Sequence, residues 1–111
     1  MSLKHREKDL RHASAAAHFG HACALQQAGY FPEAVKSYRL GLSFQPDSPE
    51  VLSNLGCLLD DLGSRDEAES VHRKAVALAP NVAVMHNNLG LTLQSLGKTE
   101  DAEACFRKAI E

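Results

Sequence analysis

Histidine and cysteine side chains lie close together early in the sequence. His18 and His21 are three residues apart, which places them on one face of a helix, and Cys23 follows. Imidazole and thiolate groups are zinc ligands, but a site needs further ligands and none is spaced to complete it. Both histidines fall at inward packing positions. We therefore predict satisfied interior histidines and no bound metal.

Neither the carboxylates nor the thiols of the chain are spaced for catalysis. Asp60 and Asp61 are adjacent, so on a helix they point about 100° apart and do not converge on one substrate atom. Cys23 and Cys57 occupy equivalent positions on predicted neighbouring helices, about 8–10 Å apart, whereas a disulfide needs Cα atoms within about 7 Å. Cys105 has no visible activator. We predict free thiols, no cofactor and no enzyme activity.

Two asparagines, Asn54 and Asn88, stand in matching contexts, each followed by Leu-Gly. An asparagine amide has both a donor and an acceptor group, so a row of them is able to hold the backbone of an extended peptide whatever its side chains. The alternative is that these amides cross-link adjacent helices or meet solvent. The row is incomplete, because Gly20 stands one equal step before Asn54.

Several other pairs and triplets of identical residues have the same spacing along the chain as Asn54 and Asn88. Chance does not keep unlinked residues on one step, so the chain consists of a repeated unit. The recurring residues are Gly29, Gly63 and Gly97; Ala34, Ala68 and Ala102; Gly56 and Gly90; and Pro46 and Pro80. We predict repeats over residues 15–48, 49–82 and 83–111, preceded by a helical extension over residues 1–14 that is able to continue into the first repeat.

Each repeat is predicted to contain two helices joined at a glycine in the left-handed conformation. Ser64 and Glu67 form a predicted capping box, and Asn81 is the predicted cap of the fifth helix. Gly56 and Gly90, inside helices, are expected to let the two backbones of a hairpin approach. The predicted helices cover residues 10–28, 32–44, 49–62, 65–79, 83–96 and 99–110, and the first is able to begin earlier because residues 3–17 contain no breaker.

This pattern resembles the tetratricopeptide repeat over residues 15–111. Its signature is present as Leu55–Gly56–Leu59 and Leu89–Gly90–Leu93, and the later part of the repeat as Ala68–His72–Ala75–Pro80. The early tryptophan of the family is replaced, and the first repeat is the weakest match. The resemblance implies an all-α fold, an α-solenoid of three antiparallel helix–turn–helix repeats that form a right-handed superhelical stack.

In this family the first helix of each repeat lines a concave groove. The positions that the resemblance assigns to it contain no Lys or Arg, so the cationic clamp of the chaperone-docking members, which grips a terminal carboxylate, is not expected. The paired asparagines look like the asparagine ladder in the repeats of protein O-glycosyltransferases. The assigned positions are Phe19, Cys23, Gln26 and Gln27; Glu50, Ser53, Asn54, Cys57, Asp60 and Asp61; and Val84, Asn87, Asn88, Leu91, Gln94 and Ser95.

The favoured function is a non-catalytic interaction module that binds a protein, as a peptide or helix, in this groove. The alternatives are the recognition arm of a larger enzyme, such as a glycosyltransferase, and a self-assembling scaffold. The net charge of −2 gives no indication of a nucleic-acid or membrane surface. The sequence has no membrane-length apolar run, and its three cysteines show no disulfide framework. We therefore expect no signal peptide and a cytoplasmic protein.

An uncovered apolar surface is expected at the last repeat, because the sequence stops at Glu111 with its second helix. Repeats of this kind bury their inner face against a neighbour or a capping helix. Either the natural protein continues, or this end packs against another copy as a homo-oligomer. The residues expected on or near this surface are Leu93, Leu96, Cys105, Ala109 and Ile110.

Overall fold

The computed structural model of the protein describes residues 2–111, which fold into helices joined by short turns. Within these residues there is no β-strand, which confirms the all-α helical-repeat class. Helices α2 to α6 begin and end within one residue of their predicted bounds, whereas α1 begins seven residues early, at Leu3, where no breaker precedes it. The helices are α1 (Leu3–Gln27), α2 (Phe31–Phe44), α3 (Pro49–Asp61), α4 (Arg65–Leu78), α5 (Ala83–Ser95) and α6 (Thr99–Ile110).

The chain divides into two compact units. Residues 1–48 contain the hairpin of α1 and α2, and residues 49–111 contain the two hairpins α3–α4 and α5–α6. In the second unit α4 packs against both α3 and α5, which joins its two hairpins. Glu69 of α4 strengthens this junction, because its carboxylate accepts a 2.7 Å hydrogen bond from Lys98 in the turn before α6.

Each hairpin turns at a glycine, as predicted. Gly29, Gly63 and Gly97 have φ angles of 87°, 86° and 77°, a region that side chains other than glycine rarely adopt. The N–H of the residue after each glycine bonds back into the last turn of the preceding helix. For Ser64 the acceptor is the carbonyl of Leu59 at 2.8 Å. These bonds satisfy carbonyls that the helix end leaves without an intrahelical partner.

Of the predicted helix caps, the position of Ser64 is confirmed but its capping bond is not, and the Asn81 cap is wrong. Ser64 occupies the N-cap position of α4, but its side chain makes no capping hydrogen bond. Its φ of −85° and ψ of 62° lie outside the extended region from which a cap hydroxyl reaches the first N–H groups. Helix α5 begins at Ala83 with Val82 at the N-cap, so Asn81 is not the cap.

Gly56 and Gly90 make room for rings rather than for a neighbouring backbone, which corrects our expectation. A Cβ built on Gly56 would lie 2.5–2.8 Å from atoms of the His72 imidazole. On Gly90 it would lie 2.6–3.0 Å from atoms of the Phe106 ring. In both hairpins of the second unit, a ring on the second helix fills the notch that a glycine leaves on the first.

The α1–α2 hairpin is held by rings and by polar contacts. The Phe19 ring lies over Gly41 of α2, in the space that a Cβ would need. His18 stacks on Phe44 with ring centroids 5.7 Å apart and planes 8° apart. Tyr38 is buried at 1% exposure, and desolvation raises the pKa of its phenol above its usual range. The first residues of α1, 3–13, are all exposed.

Candidate functional site

Two hydrogen bonds define which sides of α3 and α5 meet. Asn88 of α5 donates from Nδ2 to the Ser53 hydroxyl oxygen at 3.2 Å. The Thr92 hydroxyl donates to Oδ2 of Asp60 at 3.1 Å. Thr92 is fully buried. Ser53 and Asp60 therefore face α5, and they are seven residues apart, about two helical turns.

A largely exposed stripe adjoins this contact on each helix, and on α5 it includes Asn88 itself. With about 100° per residue, the positions that follow Ser53 by about 40–100° around α3 form one stripe, and the equivalent positions of the next repeat form its counterpart on α5. We call the two stripes together the α3–α5 face. It consists of Glu50, Asn54, Cys57 and Asp61 on α3, and Val84, Asn88, Leu91 and Ser95 on α5.

The two asparagines of this face differ in what their amides do. Asn54 is exposed, and its amide has no hydrogen-bond partner within residues 2–111. Asn88 is half-buried, and it spends one donor on Ser53. Asn88 therefore cross-links two helices, whereas the Asn54 amide makes no such bond, and peptide-backbone binding by this pair stays a prediction.

Apolar side chains lie between the polar ones. Val84 is 59% exposed and Leu91 is 48% exposed, seven residues apart on one side of α5. Cys57, the α3 counterpart of Leu91, is half-buried. Burial raises the pKa of the Cys57 thiol, and the carboxylates of Asp61 and Asp60 raise it further, so the thiol stays protonated at neutral pH. The face offers an apolar surface and no activated nucleophile.

The charges of the face are all negative. Glu50 and Asp61 are exposed, and neither forms an ion pair within the described part of the chain. Asp60, next to the face, lies 3.4 Å from the Arg65 guanidinium, so that cation is already engaged. The sequence alone shows that the predicted groove residues include no Lys or Arg. The structure adds that Glu50 and Asp61 are the carboxylates without a cationic partner among the described residues.

Two of the predicted groove residues belong to the α1–α2 interior instead. Phe19 packs on Gly41, and the Gln26 side chain accepts a 2.8 Å hydrogen bond from the Tyr38 hydroxyl. Cys23 is exposed, although its Sγ lies 3.6 Å from the same hydroxyl. Phe19 and Gln26 are one position before Gly20 and Gln27, and a step of about 100° turns them towards α2.

Three further predicted residues lie off the α3–α5 face. Ser53 is 6% exposed because it faces α5. Asn87 and Gln94 are exposed, but they are the counterparts of Ser53 and Asp60 in the next repeat. The equivalent register places them on the side of α5 that points away from α3. They are therefore useful controls for any binding to the face.

The prediction that the histidines are interior and hydrogen-bonded is only partly correct. His18 is half-buried, and His21 is exposed, 3.4 Å from the Ser37 hydroxyl. His72 is 1% exposed, and its Nδ1 has no hydrogen-bond partner within residues 2–111. Among these residues no three His, Cys, Asp or Glu side chains converge on a possible metal position. The three cysteines are free thiols.

The fold defines a helical-repeat protein, and in its second unit the first helix of each hairpin contributes to the α3–α5 face. Models of the tetratricopeptide repeat match residues 50–79 and 83–111, together more than half of the chain. The chain belongs to the tetratricopeptide repeat family. No curated protein sequence matches it.

Several solved structures share the fold. The second tetratricopeptide repeat domain of Spaghetti (RPAP3), bound to the HSP90 peptide SRMEEVD, is 16% identical with a TM-score of 0.86, over 93% of this chain and 94% of that one. The first such domain, bound to the same peptide, is 22% identical with a TM-score of 0.84, over 89% and 79%. MamA is 21% identical with a TM-score of 0.83, over 87% of this chain and 57% of its own.

These identities are low enough that the similarity shows the fold alone. The chain spans little more than half the length of MamA. Within residues 2–111, no helix combines the length and the apolar character that a membrane crossing requires.

Proposed function

We propose that this chain is a non-catalytic module that binds a peptide segment of a partner protein on the α3–α5 face. The observation that carries the proposal is the exposed Asn54 amide on the same face as two half-exposed apolar residues, Val84 and Leu91. A side-chain amide can donate a hydrogen bond to a peptide carbonyl and accept one from a peptide N–H. Apolar surface supplies the non-directional part of the affinity. The peptide-bound state of two proteins of this fold supports the same use of it.

The three free thiols support a reducing compartment such as the cytoplasm. An asparagine pair that reads peptide backbone, similar to that of the O-glycosyltransferase repeats, is the finer form of this proposal. Its weaker member is Asn88, because the bond to Ser53 leaves it only one N–H and its carbonyl for a ligand.

Selection from a displayed library of random dodecapeptides tests the proposal. Peptides that bind the chain should lose affinity about threefold to tenfold when Asn54 is changed to Ala, since one hydrogen bond contributes about 0.5–1.5 kcal/mol. Asn87→Ala is the matched control, an exposed asparagine on the other side of α5. Equal losses for the two variants would place binding elsewhere on the molecule.

A second candidate function is self-association through the last repeat. Ile110, a large apolar side chain of α6, is 86% exposed among the described residues. The predicted surface is smaller than expected, because Leu93 is fully buried between α5 and α6 against Ala102 and Phe106. Sedimentation over a range of concentrations tests this candidate. Ile110→Glu should shift any dimer towards monomer, and an unchanged dimer would exclude this contact.

A further inference from the structure

We propose that the partner segment bound by the α3–α5 face is cationic and amphipathic, with Lys or Arg side chains directed at Glu50 and Asp61 and apolar side chains on Val84 and Leu91. This inference rests on the proposed function and specifies the chemistry of its ligand. The face presents apolar surface and uncompensated negative charge together.

The negative charges lie at the two ends of the α3 stripe. Glu50 and Asp61 are eleven residues apart, which is about 16 Å along a helix. Between them the stripe carries only Asn54 and Cys57, so it contains no cation that would neutralise either end. The first cation after the stripe in sequence, Arg65, is engaged with Asp60. A ligand that brings its own cations would pair both carboxylates without displacing an existing ion pair.

Two carboxylates, those of Asp61 and Asp60, also act on the centre of the face. Burial raises the pKa of the Cys57 thiol, which lies between the two ends of the stripe, and the carboxylates of Asp61 and Asp60 raise it further. A bound carboxylate would meet the same opposition. A lysine or arginine side chain would be attracted, and complementary charge raises both association rate and specificity.

Two exposed apolar side chains of α5 favour a ligand with an apolar part. Val84 and Leu91 are both large and about half exposed, on the side of α5 next to the α3 stripe. A purely polar cationic peptide would leave them in water. An amphipathic segment covers them while its cations reach the carboxylates of α3.

The ligand proposed here differs in charge from the peptide bound in the two Spaghetti structures. The peptide SRMEEVD, bound by both domains of Spaghetti, contains two Glu and one Asp against a single Arg. On the α3–α5 face, which has no Lys or Arg, those acidic groups would meet like charge. The same fold therefore serves a ligand of reversed sign here.

The charge composition of the selected dodecapeptides is the first test. We expect enrichment of Lys and Arg together with apolar residues, and no enrichment of Asp or Glu. Binders that depend on Asn54 but are neutral or acidic would overturn the inference and leave the proposed function intact. A library that yields no Asn54-dependent binder would refute both.

Removal of the charges is the second test, made on a synthetic copy of a selected peptide by calorimetry. Glu50→Gln together with Asp61→Asn should weaken binding about threefold to tenfold at low salt, and the loss should shrink as salt screens the charges. Glu33→Gln with Asp47→Asn removes the same charge from exposed positions outside the second unit and should leave affinity unchanged. Circular dichroism checks that helicity is retained. Equal affinity of the two double variants would overturn the inference.

Discussion

The imidazole of His72 is a polar ring in a place that its own chain elsewhere gives to phenylalanine. It is buried on α4 and covers Gly56, while Phe106 of α6 covers Gly90 in the same manner one repeat later. The Nδ1 atom of His72 has no hydrogen-bond partner within residues 2–111. We predict that His72→Phe stabilises the protein, because the new ring meets the geometry that the last repeat already tolerates.

The expected size of this gain follows from the buried nitrogen. Leaving one polar atom unsatisfied in the interior costs about 1–3 kcal/mol, and the phenyl ring removes that cost while it keeps the contact with Gly56. The free energy of unfolding should therefore rise by about 1–3 kcal/mol at neutral pH. Any overpacking by the slightly larger ring reduces the gain.

The pH dependence has a definite sign. Burial lowers the pKa of His72 below its ordinary 6.5, and the Asp60 carboxylate offsets only part of that effect. As the pH falls, the unfolded chain takes up this proton first, at about 6.5. The contribution of neutral His72 to stability is therefore complete above that pH and is lost as the pH falls towards the lowered folded-state pKa. His72→Phe removes the dependence, so its advantage should widen between pH 7.5 and pH 5.5.

Urea unfolding followed by circular dichroism at pH 7.5, 6.5 and 5.5 measures this directly. His12→Phe is the control, since His12 is exposed on α1 and its replacement should leave the pH dependence of unfolding unchanged. If His72→Phe were less stable than the parent, or if the two stability curves ran parallel from pH 7.5 to 5.5, the imidazole would be satisfied by groups that we have not identified.

Three further predictions concern single contacts, and equilibrium unfolding checks each of them. Gly20→Ala should stabilise α1 by about 1 kcal/mol, because a Cβ there meets nothing within 4 Å. Gly56→Ala should be less favourable than Gly20→Ala by about 1–3 kcal/mol, because the His72 ring occupies the space that its Cβ needs. Equal effects of the two substitutions would show that the notch at Gly56 is not filled. Asn88→Ala should cost about 0.5–1.5 kcal/mol through the bond to Ser53, and no loss would mean that the bond contributes nothing. The pKa of Glu69 is lowered mainly by hydrogen bonds from its two cationic partners, so Glu69→Gln should cost at most about 1 kcal/mol at low salt and less at high salt; a loss that is unaffected by salt would contradict an electrostatic origin.

Much of the architecture is readable from local chemistry. A glycine at 29, 63 and 97 predicts where a helix reverses, because only glycine adopts positive φ without cost, and the three observed φ angles confirm it. The helix bounds followed to within one residue except at the start of α1. Ser64 was predicted at the right position but not with the right bonding, because its φ of −85° and ψ of 62° lie outside the extended region typical of a capping residue.

The candidate site was less accessible to sequence reasoning. Phe19 and Gly20, like Asn87 and Asn88, are one residue apart, and one residue turns a side chain by about 100° around the helix. An error of one residue in assigning groove positions therefore changes which way the side chain faces. Thr92 gave no signal in the sequence, yet it is fully buried and bonds Asp60 of the neighbouring repeat. A hydroxyl at this position is meaningful only when the opposite side chain is known.

The sequence by itself determined the length of the repeat, the helical hairpin, the reversal at each glycine and the absence of cations among the predicted groove residues. These are properties of single residues and of spacing along one helix. The tertiary structure decided that rings fill the notches at Gly56 and Gly90, that Asn88 is spent on Ser53 while Asn54 is free, and that His72 has an unpartnered nitrogen. Each of these features depends on how one helix packs against another. The repeat in the sequence shows which positions are equivalent, but it does not show which side chains of the neighbouring helix they contact.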